Sequence, residues 1–190
     1  MARGPRLVGR RQSMRRDQEG PQLDVRIIAS SKVFKTNKGG KTASWSILVV
    51  VGDNKGMVGI GHGKARGIPD AIQKAEDVAR KSMFKVELIG NTIPHEIRSS
   101  AGAATVVLKP ASPGTGVKAG SALRHCLEAA GVHDVLAKCL GSRNPVNIAH
   151  ATVKAFRQLR SPEQIANRRG ADVDKLVPWL AKARKEEAHA

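Results

Sequence analysis

Lys32, Lys35, Lys38 and Lys41 fall within ten residues, have no acid between them and bracket the pair Gly39 and Gly40. Downstream, Gly59, Gly61 and Gly63 lead into Lys64 and Arg66. The chemistry open to such a set is the holding of anions. Glycines remove side chains so that backbone N–H groups can approach an oxyanion, while ammonium and guanidinium groups neutralise it. Neither cluster offers a means of telling one base from another, so the pattern predicts contact with the phosphate backbone of RNA or DNA.

Other candidate chemistries fail on spacing. A nucleotidase phosphate loop would need glycine where Val58 stands and Ser or Thr where Ala65 stands, and a dinucleotide fingerprint in the same segment puts its third glycine on Lys64 or Arg66. Gly114, Gly116 and Ala119 do satisfy the permissive dinucleotide form, but two nearby prolines and the lack of repeating β-α-β units favour a tight strand-to-helix turn. His95-Glu96 lacks the second histidine of a zinc protease, and no Ser or Cys sits in a nucleophile-elbow sequence. His125, Cys126, His133, Cys139 and His150 match no metal-ligand spacing. The sequence therefore predicts no catalytic residue, no cofactor, no metal and no small-molecule substrate.

The composition agrees with a polyanionic partner. Among 190 residues, 33 Lys and Arg face 16 Asp and Glu, a formal net charge of +17. No run approaches the ~20 apolar residues of a membrane span, and Ser46 to Val51 is only strand-sized. Arginines at positions 3, 6, 10, 11, 15 and 16 come without an apolar h-region, which argues against a secretory signal and leaves an organellar presequence open. The cytoplasm is the expected compartment, and two cysteines without paired spacing read as reduced thiols. With 3% aromatic residues and no tyrosine, there is little material for base-stacking platforms.

These residues need elements to hold them. Residues 1–22, rich in arginine and poor in core material, read as a disordered basic arm. Val25 to Phe34, Ala43 to Val51 and Met57 to Ile60 read as antiparallel strands, with Lys35 to Lys41 as the first connection. From Ile68 to about Val86 the apolar residues recur at helical spacing, with Pro69 in the first turn, so residues 23–90 read β-β-β-α. In residues 91–160, strands are expected at Glu96 to Ser100, Ala104 to Lys109 and Val132 to Leu140. Helices are expected at Ala119 to Ala130 and after Asn144-Pro145, giving β-β-α-β-α. Residues 161–190 read as a short capped helix and a charged tail.

Several separated segments resemble one family in the right order. They are VFKTNKGGK (Val33 to Lys41), VVVGD (Val49 to Asp53), VGIGHGKAR (Val58 to Arg66), PDAIQKA (Pro69 to Ala75), KPASPGTG (Lys109 to Gly116), AAGVHDV (Ala129 to Val135) and GSRNPVNI (Gly141 to Ile148). The family is that of the fifth protein of the small ribosomal subunit, bacterial type, and the resemblance spans about residues 23–170.

The resemblance implies an α+β chain. A double-stranded-RNA-binding-like β-β-β-α domain would be followed by a β-β-α-β-α domain of the left-handed β-α-β type. It implies a structural, non-catalytic role: binding small-subunit rRNA, bracing head against body and contributing to translational accuracy. The fourth and eighth small-subunit proteins would be its neighbours, and messenger RNA would pass nearby at the entry channel. The RNA-facing residues on this reading are Lys32, Lys35, Lys38, Gly39, Gly40, Lys41, Gly61, Gly63, Lys64, Arg66, Gly114, Gly116, Lys118, Arg143 and Asn144. Gly102, Ala104, Thr105 and Val107 would face the neighbouring protein. Thr105 stands where relatives carry a basic residue, and His62 where they often carry an aromatic one. A non-ribosomal regulator that binds double-stranded RNA is the alternative reading.

Overall fold

The computed structural model describes residues 23–170 and Asp172, so the basic arm of residues 1–22 and the charged tail lie outside the described residues. Two four-stranded sheets carry the chain. The first has the order β1 (Asp24–Asn37), β2 (Gly40–Gly52), β3 (Met57–Ala65), β4 (Phe84–Lys85), all antiparallel, with α1 (Ile68–Lys81) between β3 and β4. The second has the order β5 (Ile97–Ala101), β6 (Ala104–Pro110), β8 (Val135–Gly141), β7 (Val117–Lys118). Here α2 (Ser121–Ala129) is the crossover between the parallel strands β7 and β8, and α3 (Pro145–Gln158) and α4 (Pro162–Arg169) follow. This is the α+β arrangement expected from the sequence, with two short strands, β4 and β7, that two-residue segments were too brief to signal.

β3 explains why α1 sits where it does. Gly59, Gly61 and Gly63 alternate along one face, and a Cβ on them would lie 2.2, 1.9 and 2.2 Å from the backbone oxygens of Ala79, Ala75 and Ala71. Alanine therefore meets glycine, and helix backbone rests almost on sheet backbone. The contact stripe is narrow for the same reason. Ala71, Ala75 and Ala79 are fully buried, whereas Ile68 and Val78, which the periodicity assigns to the apolar face, stay exposed. The helix also ends at Lys81 rather than near Val86, because Phe84 and Lys85 leave it to pair with Val58 and Met57.

Among the described residues, the second sheet buries one face against helices. Val106, Leu108 and Val135 point into a core shared with Leu123, Cys126 and Leu127 of α2 and Phe156 of α3. That core also takes in Val50 and Val58 of the first sheet. One apolar cluster thus crosses from one sheet to the other. The crossing point is tight: Asn54 N donates to the Ala129 carbonyl at 3.2 Å, and a Cβ on Gly52 would lie 1.9 Å from that same oxygen. Gly131, at φ +82, would place a Cβ 2.2 Å from the Asn54 oxygen, so a left-handed, side-chain-free residue is required there. Arg26 of β1 closes the joint by pairing with Glu128 of α2 and, at 2.8 Å, with Asp24. The strand expected from Val132 begins only at Val135, since the Val132, His133 and Asp134 amides turn to Leu127 and Asn91 carbonyls.

Candidate nucleic-acid interface

β1 and β2 pair along their whole length, from Asp24 opposite Gly52 to Asn37 opposite Gly40. β3 pairs with β2 only from Trp45 onward, so residues 33–44 extend past the third strand as a two-stranded ribbon. The connection expected to be a loop from Lys35 to Lys41 is therefore a hairpin whose turn is Lys38 and Gly39. Glycine at 40 has φ +143, the conformation that lets the chain reverse so tightly, and neither Gly39 nor Gly40 has any heavy atom within 4 Å of its Cβ position. Backbone there is open to a partner.

Strand alternation distributes the charges over both faces of the ribbon. Lys32 lies opposite Trp45, Phe34 opposite Ala43 and Thr36 opposite Lys41, so Lys32, Phe34, Lys41 and Trp45 share one face. Lys35 lies on the other, opposite Thr42, with Lys38 at the tip. The second face runs back along the sheet to Lys64, opposite Ser46, and to His62, whose Nε2 shares a 2.7 Å hydrogen bond with Ser46 Oγ. Lys64 and Arg66 are exposed at the same end of the sheet as the hairpin. Between Asp24 and Asp53 the chain carries no acid, so no carboxylate of the hairpin itself competes for Lys32, Lys35, Lys38 and Lys41.

The structure gives several of the proposed contact residues other work. Gly61 and Gly63 are buried under α1, and their missing side chains serve helix packing rather than approach to a phosphate. The Gly116 amide donates to the buried Asp134 carboxylate at 2.9 Å; that N–H is occupied, and an anion there would meet a carboxylate. Asn144 caps α3, its Oδ1 accepting from Val146 N at 3.1 Å. Ala104 is fully buried on the inner side of β6 and lines no surface, whereas Thr105 and Val107 point outward, half-buried.

Gly114, Lys118 and Arg143 are exposed, but they do not converge. Lys118 lies beside Leu136 at one end of β8 and Arg143 follows the other end, separated by roughly 15 Å of strand. Gly102, in the turn from β5 to β6, sits at Arg143's end, where Ser142 N donates to the Ala103 carbonyl at 2.9 Å.

Two surfaces extend beyond the residues singled out in the sequence. One is the ring cluster on the hairpin: Lys32 Nζ lies 5.4 Å from the Phe34 ring centre and 5.9 Å from that of Trp45. The spacing Lys32-x-Phe34 together with a turn at Gly39 contained this signal, because it fixes Trp45 opposite Lys32. The other is the outer face of the second sheet, where Leu136 and Leu140 flank Lys138, opposite Val107 and Thr105 of β6. Among the described residues no three His, Cys, Asp or Glu side chains gather to hold a metal ion, and no helix is long and apolar enough to cross a membrane.

Comparison with known proteins agrees with the two-sheet division. Residues 23–87 match the N-terminal domain of ribosomal protein S5, and residues 99–169 match its C-terminal domain. The small ribosomal subunit protein uS5 of Nocardia farcinica is 50% identical over 171 residues, covering 90% of this chain and 78% of that relative. Two matched domains in register with the two sheets, and 50% identity over most of the length, place this chain in the ribosomal protein S5 family.

Proposed function

We propose that this chain is a structural component of the small ribosomal subunit that grips its RNA by the phosphate backbone, using the β1–β2 hairpin as the principal contact. Lys32, Lys35, Lys38 and Lys41 supply the charge, Gly39 and Gly40 the close approach, and Lys64 and Arg66 extend the basic surface along the sheet. Gly114, Lys118 and Arg143 form separate, smaller contacts. Each lysine that neutralises a phosphate releases counterions, so affinity comes from charge and shape with little sequence content.

The observation that carries this reading is an acid-free ribbon with Lys35, Lys38 and Lys41 on it and Lys32 at its base, extending past the third strand. Its tip stands about 40 Å along β2 from the joint with the second sheet, so the molecule can reach one RNA element while its body rests on another. On this reading the units 23–90 and 91–160 act together as a brace between head and body. The turn at Gly102 and the outer face of β6 at Thr105 and Val107 meet the fourth small-subunit protein; the eighth lies alongside, and messenger RNA passes near at the entry channel. If that interface breaks when the subunit closes on a correct tRNA, a change of only ~1–3 kcal/mol in it shifts the open-to-closed balance and hence accuracy. The working compartment is the cytoplasmic ribosome.

Sedimentation of cell extracts through sucrose tests the assignment. The chain is expected with small subunits and should stay there through a moderate salt wash. Recovery in the ribosome-free fractions would instead favour a free double-stranded-RNA regulator.

A further inference from the structure

Phe34 is the most exposed large apolar side chain among the described residues, at 59%. It is also misplaced by any packing argument. Its cross-strand partner is Ala43, too small to cover a phenyl ring, and among the described residues no third strand pairs with the ribbon at this point. A single exposed apolar residue is ordinary. This one, however, shares its face with Lys32 and with Trp45, which is half-buried against the core under α1. Lys32 Nζ reaches both rings, 5.4 Å from one centre and 5.9 Å from the other, and Lys41 completes the face.

From this geometry we propose that Phe34, framed by Lys32 and Trp45, is a stacking site for an unpaired nucleobase of RNA. An aromatic ring offers any base a flat apolar surface, and the adjoining ammonium groups can hold the phosphates on either side of the flipped nucleotide. The pairing of exposed ring with lysine, on a hairpin without acids, favours a nucleotide over an apolar protein surface: Lys32 and Lys41 on the same face would be costly to desolvate against a hydrophobic partner. The inference rests on the RNA-binding reading above and adds to it a local demand, one base out of the helix where the hairpin lands. The scarcity of aromatic residues argued against stacking platforms. The hairpin register concentrates two of the few rings in one place.

The full chain can be titrated with three versions of one RNA hairpin: a single-nucleotide bulge, the same bulge made abasic, and a fully paired stem. Phe34→Leu keeps the bulk and removes the flat ring, at a position where exposure makes loss of folding no concern. It should weaken binding to the bulged RNA about tenfold and leave the abasic and paired RNAs unchanged, with Phe34→Trp restoring the parent affinity. Equal affinity of Phe34→Leu and parent for the bulged RNA overturns the stacking site, as does an equal loss on all three RNAs, which would mark an apolar surface contact. Lys35→Ala, Lys38→Ala and Lys41→Ala combined separate the two levels. Weaker binding by this variant alongside an unaffected Phe34→Leu removes only the stacking site, whereas parent-like binding by the lysine variant removes the RNA reading as well.

Discussion

A methyl group added at Gly61 would lie 1.9 Å from the Ala75 oxygen and 2.5 Å from the Ala79 nitrogen, and both are helix backbone that cannot move alone. Gly61→Ala should therefore destabilise the protein by about 3 kcal/mol in urea titrations, while Gly39→Ala, with open space around it, should stay within about 0.5 kcal/mol. The same amino acid thus does two jobs in one sheet. Cys126 shows a second residue-level consequence of burial: desolvation, reinforced by the nearby Cys139, pushes its thiol up to about 12 from the ordinary 9.0. The folded value lies above the unfolded one. The thiol's contribution is then fully present below pH 9.0 and is lost as the pH climbs from there towards 12. The stability gap between the parent and Cys126→Ala should narrow across that window, and a gap independent of pH would contradict the assignment.

At the scale of elements, the strands and helices were legible where periodicity was long and uninterrupted. α2 and α3 bury the stripes that their sequences announce, from Leu123, Cys126 and Leu127 to Ile148, Ala149 and Phe156. The glycine run of β3 reads alike in sequence whether the approaching backbone is a helix or a phosphate, and only the position of α1 shows that a helix lies against it. The Lys35–Lys41 connection lies where the sequence expects it but takes the form of a hairpin, since alternation through Lys35, Thr36 and Asn37 is too polar to read as strand. Nothing local could have shown that the apolar core crosses between the sheets, because it joins Val50 and Val58 to Leu127, distant in sequence. For the hairpin, the prediction is electrostatic. Replacing Lys35, Lys38 and Lys41 by alanine should lower RNA affinity uniformly across sequences and make the slope of log K against log salt shallower by about 2 to 3, read by filter binding over a range of salt. An unchanged slope would place the phosphate contacts elsewhere.

The molecule carries a net charge of +17, and among its described residues the two sheets are fastened by a shared core, the Asn54–Ala129 backbone hydrogen bond, the Arg26–Glu128 ion pair and the Arg157 guanidinium 4.9 Å from the Phe84 ring centre. Such a joint should make the two sheets melt together, as a single calorimetric transition. Gly131→Ala, which forces a side chain into both a left-handed backbone and the Asn54 oxygen, should split or broaden that transition. Two transitions in the parent would mean that the shared core does not couple the halves. On the proposed reading, the shared joint at one end and the charged hairpin at the other let the molecule brace RNA elements. The most direct test of that account is a cryo-EM map of the small subunit containing this chain: residues 35–41 should lie against RNA phosphates, with the Lys38–Gly39 turn in contact, and a map showing that turn surrounded by solvent would contradict it.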